Sequence, residues 1–98
     1  MSDTFFWESS KAARVLAARG ITFEEVQTVF DDDFCQIVPD LSHSIGEARF
    51  TAIGTSTRGR LLVVTFTERG DTIRIITARE ATSKERRHYE NETHHPFD

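Results

Sequence analysis

The sequence predicts an α+β fold: two N-terminal helices, an antiparallel β-meander of three or four strands, and a C-terminal helix. Three observations support it. Helical spacing of apolar residues opens the chain, strand-like alternation between turn signals follows beyond residue 33, and 98 residues suffice for one core only. We therefore predict a single domain over residues 1–98, with the helices packed on one face of the sheet and residues 91–98 as a flexible tail.

The two N-terminal helices are predicted from their ends. Helix-forming residues fill positions 9–19, and Gly20 stands where a left-handed C-terminal cap is needed. Thr22 and Glu25 have the spacing of a capping box, in which each side chain accepts the backbone N–H of the other residue. We expect the second helix to end near Phe30, because the three acids that follow it are unfavourable at the negative end of a helix dipole.

The sheet and the last helix are predicted from alternation and turn signals. Strands are expected over residues 34–38, 49–56, 61–67 and 72–78. A short strand before the first helix, through Phe5 and Phe6, is left open. A second capping box, Thr82 with Glu85, opens a final helix that runs through Tyr89.

Charge is unevenly distributed along the chain. The net charge is −4, but residues 1–47 carry −6, residues 48–98 carry +2, and residues 48–89 alone carry +5. Ten of the twelve cations are arginine, whose planar guanidinium binds a phosphate through two parallel hydrogen bonds. The second half therefore favours phosphate recognition, with a solvated charged surface as the alternative.

The sequence carries no signal for secretion, membrane insertion or metal binding. Its single cysteine, Cys35, can form no internal disulfide, and apolar runs such as residues 61–64 are far too short to span a bilayer. His88, His94 and His95 match no metal-ligand spacing. We expect a cytoplasmic protein with no cofactor, no metal site and no membrane contact.

Two sets of short stretches carry a family resemblance. The less specific set is Phe6-Trp7, Lys11-Ala12-Ala13, Gly20, Phe23-Glu24-Glu25, Phe30, Asp40, His43, Gly46-Glu47 and Arg49-Phe50. The more specific set is Gly59-Arg60-Leu61-Leu62-Val63-Val64, Thr67-Glu68-Arg69-Gly70, Arg74-Ile75-Ile76-Thr77-Ala78-Arg79, Ala81-Thr82, Glu85-Arg86 and Tyr89. Together they make the chain similar to the BrnT toxins, small ribonucleases of type II toxin–antitoxin pairs with a RelE-like fold.

The resemblance implies an activity and a partner. It implies an endoribonuclease that cuts RNA and inhibits translation, and we expect this cleavage to need no divalent metal. Its partner would be a BrnA-type antitoxin with a DNA-binding domain, so that operator DNA is contacted only through the antitoxin. The sequence departs from the family in having Ala18-Arg19-Gly20 where relatives usually have Lys-His-Gly, and Glu8-Ser9 where an Asp-Pro pair usually starts the helix. If that histidine transfers protons elsewhere in the family, Arg19 predicts weakened or lost activity.

Two arginines of the last predicted strand are candidates for the charge that RNA cleavage requires. Without a metal, the reaction needs a base for the 2′-hydroxyl, cations for the transition state and an acid for the leaving 5′-oxygen. Arg74 is expected on one strand face with Ile76 and Ala78, and Arg79 just before the turn into the final helix. Either is predicted to hold a phosphate, with a carboxylate partner across the sheet as the alternative.

Proton transfer or substrate orientation is assigned to two further side chains. Tyr89 is predicted to stack on a base or to donate a proton, unless it only packs against the sheet. His43, in a polar loop, is predicted to transfer a proton near neutral pH, unless it is simply solvated. Glu85 is better explained as the capping partner of Thr82 than as a base.

An RNA-binding surface is predicted from five more cations: Arg58, Arg60, Arg69, Lys84 and Arg86. The attraction of such a surface for phosphate should fall steeply with salt. Two other functions stay open at this stage. The same arginines would serve a non-catalytic nucleic-acid-binding module, or a module that only binds the antitoxin and has lost its activity.

Overall fold

A computed structural model describes residues 4–43 and 46–93, apart from the side chains of His43 and Thr93. In chain order the elements are β1 (Thr4–Trp7), α1 (Ser9–Arg19), α2 (Phe23–Val29), β2 (Gln36–Pro39), a 3-10 helix (Leu41–His43), β3 (Arg49–Thr55), β4 (Leu61–Arg69), β5 (Thr72–Glu80) and α3 (Ser83–Thr93). The α+β class is as predicted. The strand number is not, because the described chain has five strands rather than three or four.

The five strands form one sheet in the order β1-β5-β4-β3-β2. From β2 to β5 the strands are antiparallel neighbours, which is the predicted meander. β1 is the strand that the sequence left open, and it pairs in parallel with β5 at one edge. A parallel pair needs a long connection between its strands, so no local signal marks it in the sequence.

α1 and α2 cover one face of the sheet and enclose the core. The fully or almost fully buried members of that core include Ile21, Val26, Val29, Ala52, Leu62, Val64, Phe66 and Ala78. α3 does not join them: its Lys84, Glu85 and His88 border a cavity with Val63 on the other face. The prediction that the helices pack on one face is therefore wrong for α3, because α1 and α2 already occupy that face.

The predicted helix ends are largely confirmed. Gly20 has φ of 68° and donates its N–H to Leu16, as a left-handed cap requires. The Thr82–Glu85 box is reciprocal, since the Glu85 amide donates to Thr82 Oγ1 at 3.1 Å and the Thr82 amide donates to Glu85 Oε1 at 2.9 Å. Thr22 also accepts the Glu25 amide, at 3.1 Å, but the Glu25 side chain turns elsewhere.

Glu25 instead forms a buried ion pair with Arg60 of the β3–β4 turn. Only 3% of Glu25 is exposed, and its Oε2 accepts hydrogen bonds from Arg60 Nε at 2.9 Å and from Ser56 Oγ at 2.7 Å. The Arg60 hydrogen bond lowers the pKa of Glu25 despite the opposing effect of burial. Arg60 also donates to the Gly20 carbonyl at 2.9 Å, so this arginine fastens both helices to the sheet.

None of the three described helices combines the length and the apolar character needed to cross a bilayer.

Candidate active site

The sheet face turned away from α1 and α2, which we call the open face, carries a row of polar side chains at one end. Arg49 of β3 is the Cα partner of Thr67 of β4, and Thr67 is the partner of Arg74 of β5. Cross-strand partners project from the same face of a sheet. Phe6 of β1 continues the row as the partner of Arg74, whose guanidinium lies 5.5 Å from the centre of the Phe6 ring.

A bulge in β5 decides which arginines share this face. Thr65 pairs with Thr77, but the next residue of β4, Phe66, pairs with Ile75, so Ile76 is an extra residue in β5. Residues five apart in a regular strand face opposite sides, and the extra residue reverses this relation. Arg74 and Arg79 therefore both lie on the open face.

The bulge also overturns the predicted neighbours of Arg74. Ala78 is fully buried in the core on the helix-covered face, and Ile76 is the bulged residue itself. Arg74 instead shares its face with Thr77 and Arg79. The strict two-residue alternation that predicts Ile76 and Ala78 as neighbours does not hold across the bulge.

Arg49, Thr67 and Arg74 line a small polar cleft, which we call the cationic cleft. Its volume is about 90 Å³, and its charged lining residues are Lys11, Arg49, Arg74, Glu8 and Glu47. Arg49 and Arg74 are half-buried, which strengthens their interaction with an anion compared with fully exposed arginines. Three cations converge here on a space that a phosphate group can enter.

The loop that carries His43 leads into the cationic cleft. The Asp40 amide donates to the Arg49 carbonyl at 2.8 Å and closes this loop where it returns to β3. Glu47 lies near the end of the loop, and its Oε1 is 3.4 Å from Arg69 of the β4–β5 end. The His43 side chain lies outside the described part of the structure, so its predicted role stays a prediction.

Arg79 is held by a carboxylate. Its NH1 and NH2 donate to the two oxygens of Glu85 at 2.7 and 2.8 Å, a bidentate pair. The hydrogen bond from Arg79 lowers the pKa of Glu85 to about 2, against the smaller effect of its burial, and raises the pKa of Arg79. A phosphate would have to displace Glu85 before Arg79 could bind it with both nitrogens.

Tyr89 is buried and hydrogen-bonded at the opposite end of the sheet. It is 8% exposed, and its hydroxyl donates to Asp32 Oδ2 at 2.5 Å and accepts from Thr55 Oγ1 at 3.3 Å. Burial and the Asp32 hydrogen bond raise the pKa of Tyr89. Thr55 is six residues along β3 from Arg49, a separation of about 20 Å at 3.3 Å per residue. The structure therefore does not bring Tyr89 to the cationic cleft.

Asp32 links three elements through its carboxylate. Besides Tyr89, it accepts the Thr55 amide at 2.7 Å and the Phe34 amide at 2.9 Å. Burial alone would raise the pKa of Asp32, but these hydrogen bonds outweigh it and the net shift is downward. Burial raises the pKa of the neighbouring Cys35 thiol to about 11, so this cysteine is protonated at neutral pH.

The five predicted RNA-binding cations do not form one surface. Arg58 and Arg60 lie on the β3–β4 turn, and Arg60 is bound to Glu25. Arg69 is exposed beside Glu47 near the cationic cleft. Lys84 and Arg86 are exposed on α3.

Sequence reasoning missed the roles of Lys11, Arg49 and Glu47 in the cationic cleft. One signal was present: Arg49 begins a predicted strand and alternates with Thr51 and Ile53, so these residues should share a face. Its partner across the sheet depends on strand register, which the local sequence does not reveal. Among the described residues, no group of three or more His, Cys, Asp and Glu side chains is placed to hold a metal ion.

Comparison with known proteins defines the class of this protein. Residues 7–85 match the model of a family described as "Ribonuclease toxin, BrnT, of type II toxin-antitoxin system". The chain therefore belongs to the BrnT family of ribonuclease toxins, as its sequence motifs predicted. Membership in a type II system implies a cognate antitoxin as partner. No curated protein sequence matches the chain.

The fold is similar to that of one solved family member, the Brucella abortus ribonuclease toxin BrnT, known from a 1.1 Å crystal structure. The TM-score is 0.65 and the sequence identity 19%, and the match covers 84% of this chain and 100% of that chain. At this identity the similarity shows a shared fold.

Proposed function

We propose that this chain is an endoribonuclease toxin that cuts RNA without a divalent metal and thereby inhibits translation in the cytoplasm. The observation that carries the proposal is the cationic cleft, in which Arg49 and Arg74 flank Thr67 on one face beside Lys11. Cleavage passes through a phosphorane-like transition state with added negative charge on the phosphate oxygens. Two guanidinium groups and an ammonium group can neutralise that charge.

The proposed reaction is attack by the RNA 2′-oxygen on the adjacent phosphorus. Glu47 accepts the 2′-hydroxyl proton as the new bond to phosphorus forms, while Arg49 and Arg74 bind the non-bridging oxygens. The bond from phosphorus to the 5′-oxygen breaks, and His43, from the same loop as Glu47, gives that oxygen a proton. The products are a 2′,3′-cyclic phosphate and a free 5′-hydroxyl.

Arg79 and Tyr89 take different parts in this proposal. Arg79 lies on the same face as Arg74, about 13 Å further along the sheet, and binds an RNA phosphate further along the strand by displacing Glu85. Tyr89 is a structural residue, because its buried hydroxyl is bound to Asp32 and holds α3 in place. The exposed Arg58, together with Arg69, Lys84 and Arg86, makes salt-dependent contacts with the RNA backbone.

The proposed partner is a BrnA-type antitoxin whose own domain binds operator DNA. The toxin then contacts the operator only through the antitoxin. An electrophoretic mobility assay with operator DNA tests this: a shift is expected with the toxin–antitoxin complex and none with the toxin alone. A shift by the toxin alone would refute it.

A second candidate function is a nucleic-acid-binding or antitoxin-binding module that has lost cleavage. Two observations favour it. Glu85 binds Arg79 through both carboxylate oxygens, and Asp32 accepts the hydrogen bond of the Tyr89 hydroxyl, so both predicted catalytic side chains already have protein partners. Arg19 adds to them, because it stands where relatives usually have histidine and its NH1 donates to the Ala78 carbonyl at 2.9 Å.

RNA cleavage in excess EDTA separates the two candidates. Purified protein is incubated with a structured RNA beside Arg74→Ala and the matched control Arg14→Ala, an exposed arginine of α1. We expect cleavage by the parent and the control, and a loss of about 100-fold or more for Arg74→Ala. Intact RNA with all three proteins, or equal cleavage by all three, would contradict the proposed site.

A further inference from the structure

Most of the large exposed apolar side chains of the described chain lie at or beside the outer edge of β2. β2 is the last strand of the sheet on this side, opposite to β1. Four of the six exposed large hydrophobic side chains belong to residues 34–41: Phe34 at 56%, Ile37 at 53%, Val38 at 54% and Leu41 at 83% exposure. Such a cluster beside an open strand edge marks a surface that another chain can cover.

Two cavities beside β2 leave space for another strand. On the open face, a cavity of about 340 Å³ is lined by Val38, Ile53 and Val63, with His88 of α3 at its side. A second cavity, of about 560 Å³, follows the β2 edge past Ile37 and is bordered by α3. A strand added here, at the usual spacing of about 4.8 Å, would place alternate side chains toward Val38 and toward Ile37.

The charges around this edge indicate what kind of segment fits. Asp31 and Asp33 are exposed before β2, Asp40 follows it, and the exposed Glu92 of α3 borders the second cavity. Lys84 borders the first cavity from α3, but the four acids outnumber it, so an RNA strand lying along β2 would be repelled on balance. A second copy of the chain, pairing β2 with β2 in antiparallel fashion, would bring the acids before one strand toward Asp40 of the other copy, and like charges in such pairs are destabilising.

We propose that the cognate antitoxin docks on β2 by adding an extended segment as a sixth strand, with apolar side chains on both faces and Lys or Arg at its flanks. The backbone edge of β2 would supply hydrogen bonds, the two cavities would take the side chains, and the acidic rim would select the basic flanks. This inference rests on the antitoxin that family membership implies, and is independent of the proposed RNA cleavage.

Antitoxin affinity of an edge variant tests the docking site. The double variant Ile37→Lys/Val38→Lys places charge on both faces of β2, and Leu16→Lys, at a similarly exposed position on α1, is the matched control. Calorimetry with the purified antitoxin encoded with this toxin should show a Kd raised at least about tenfold for the double variant and less than about twofold for the control. Thermal unfolding of each free variant shows that the fold is retained.

Hydrogen exchange gives a second readout that needs no variant. In the parent complex, the amides of residues 36–38 should be protected relative to the free toxin, since Pro39 has no amide hydrogen. Unchanged affinity of the double variant, or protection only at other residues, would overturn the proposal. It would also be overturned by a free-toxin dimer that the double variant abolishes, since the occupant would then be a second copy.

RNA cleavage by the double variant separates this inference from the proposed function. The variant should cut a structured RNA as the parent does, because neither Ile37 nor Val38 lines the cationic cleft. A variant that loses binding to that RNA while keeping antitoxin affinity would assign the β2 edge to RNA and overturn the docking proposal.

Discussion

The two ends of the sheet use arginine in opposite ways. At one end, Arg49 and Arg74 project into the cationic cleft. Toward the other end, Arg79 is bound to Glu85 about 13 Å away along the strands, and Arg60 is bound to the buried Glu25 about 20 Å away. The comparison teaches that the place of an arginine in the fold, more than its presence in the sequence, decides whether it holds elements together or lines a cleft.

Removing Arg60 should produce the largest effect, and on stability rather than on cleavage. Arg60→Ala leaves the Glu25 carboxylate buried with Ser56 Oγ as its remaining side-chain donor, which should lower the free energy of unfolding by about 3–5 kcal/mol. Urea denaturation measures this. The control Arg58→Ala, on the same turn but exposed, should stay within about 0.5 kcal/mol of the parent. A fully stable Arg60→Ala that no longer cuts RNA would break the comparison.

Removing Arg49 should instead affect RNA cleavage more than stability. Arg49→Ala takes one of two guanidinium groups from the cationic cleft, and we expect kcat for RNA cleavage to fall about 10²–10³-fold, with a smaller loss of stability than Arg60→Ala causes. Arg49→Lys should recover only part of the rate, since lysine keeps the charge but loses the bidentate geometry. If Arg49→Ala unfolds at much lower urea and cuts RNA normally, Arg49 belongs with Arg60 as a structural residue.

The sequence predicted what depends on neighbours in the chain and missed what depends on register. The Gly20 cap and the Thr82–Glu85 box are local, and both are present. The bulge at Ile76 is not local, because it exists only relative to the pairing of β4 with β5. The pairing of Arg60 with Glu25, 35 residues away in the chain, is equally invisible to a local pattern.

The candidate site follows the same division. Arg74 and Arg79 were chosen from residue type and strand position, and both lie on the open face. Arg49 lies beside Arg74 only because both strands pair with Thr67 of β4. Lys11 reaches the cleft only because α1 packs against the sheet. Convergence of charges from three elements is a property of the folded chain, so it could not be predicted from spacing alone.

Tyr89→Phe tests whether the far end of the sheet is structural. The variant removes the hydroxyl that binds Asp32 but keeps the ring and both amide donors to that carboxylate. We expect a loss of about 1–2 kcal/mol in the free energy of unfolding, measured by urea denaturation, with a cleavage rate close to that of the parent. A rate loss of about 100-fold at unchanged stability would instead make Tyr89 a catalytic residue, as the sequence predicted.

The pairing of Arg79 with Glu85 predicts a pH-dependent effect on the free energy of unfolding that is smaller than the effects of the substitutions above. The pKa of Glu85 is lowered from its ordinary value of 4.5 to about 2 in the folded chain. Above the higher value the carboxylate is ionised in both states, and its contribution to stability is fully present. As the pH falls from 4.5 toward 2, the unfolded chain takes up the proton first, so the free energy of unfolding decreases.

Comparison of the parent with Glu85→Gln isolates this contribution. Glu25 also has a lowered pKa and loses its contribution on acidification, but it does so in both proteins. Urea midpoints measured from about pH 5 to pH 2.5 should therefore fall more steeply for the parent than for Glu85→Gln. The same variant frees Arg79 at neutral pH, so it should bind a structured RNA severalfold more tightly if Arg79 contacts phosphate. Parallel pH curves with unchanged RNA affinity would mean that the Glu85 pair neither stabilises the fold nor restrains Arg79.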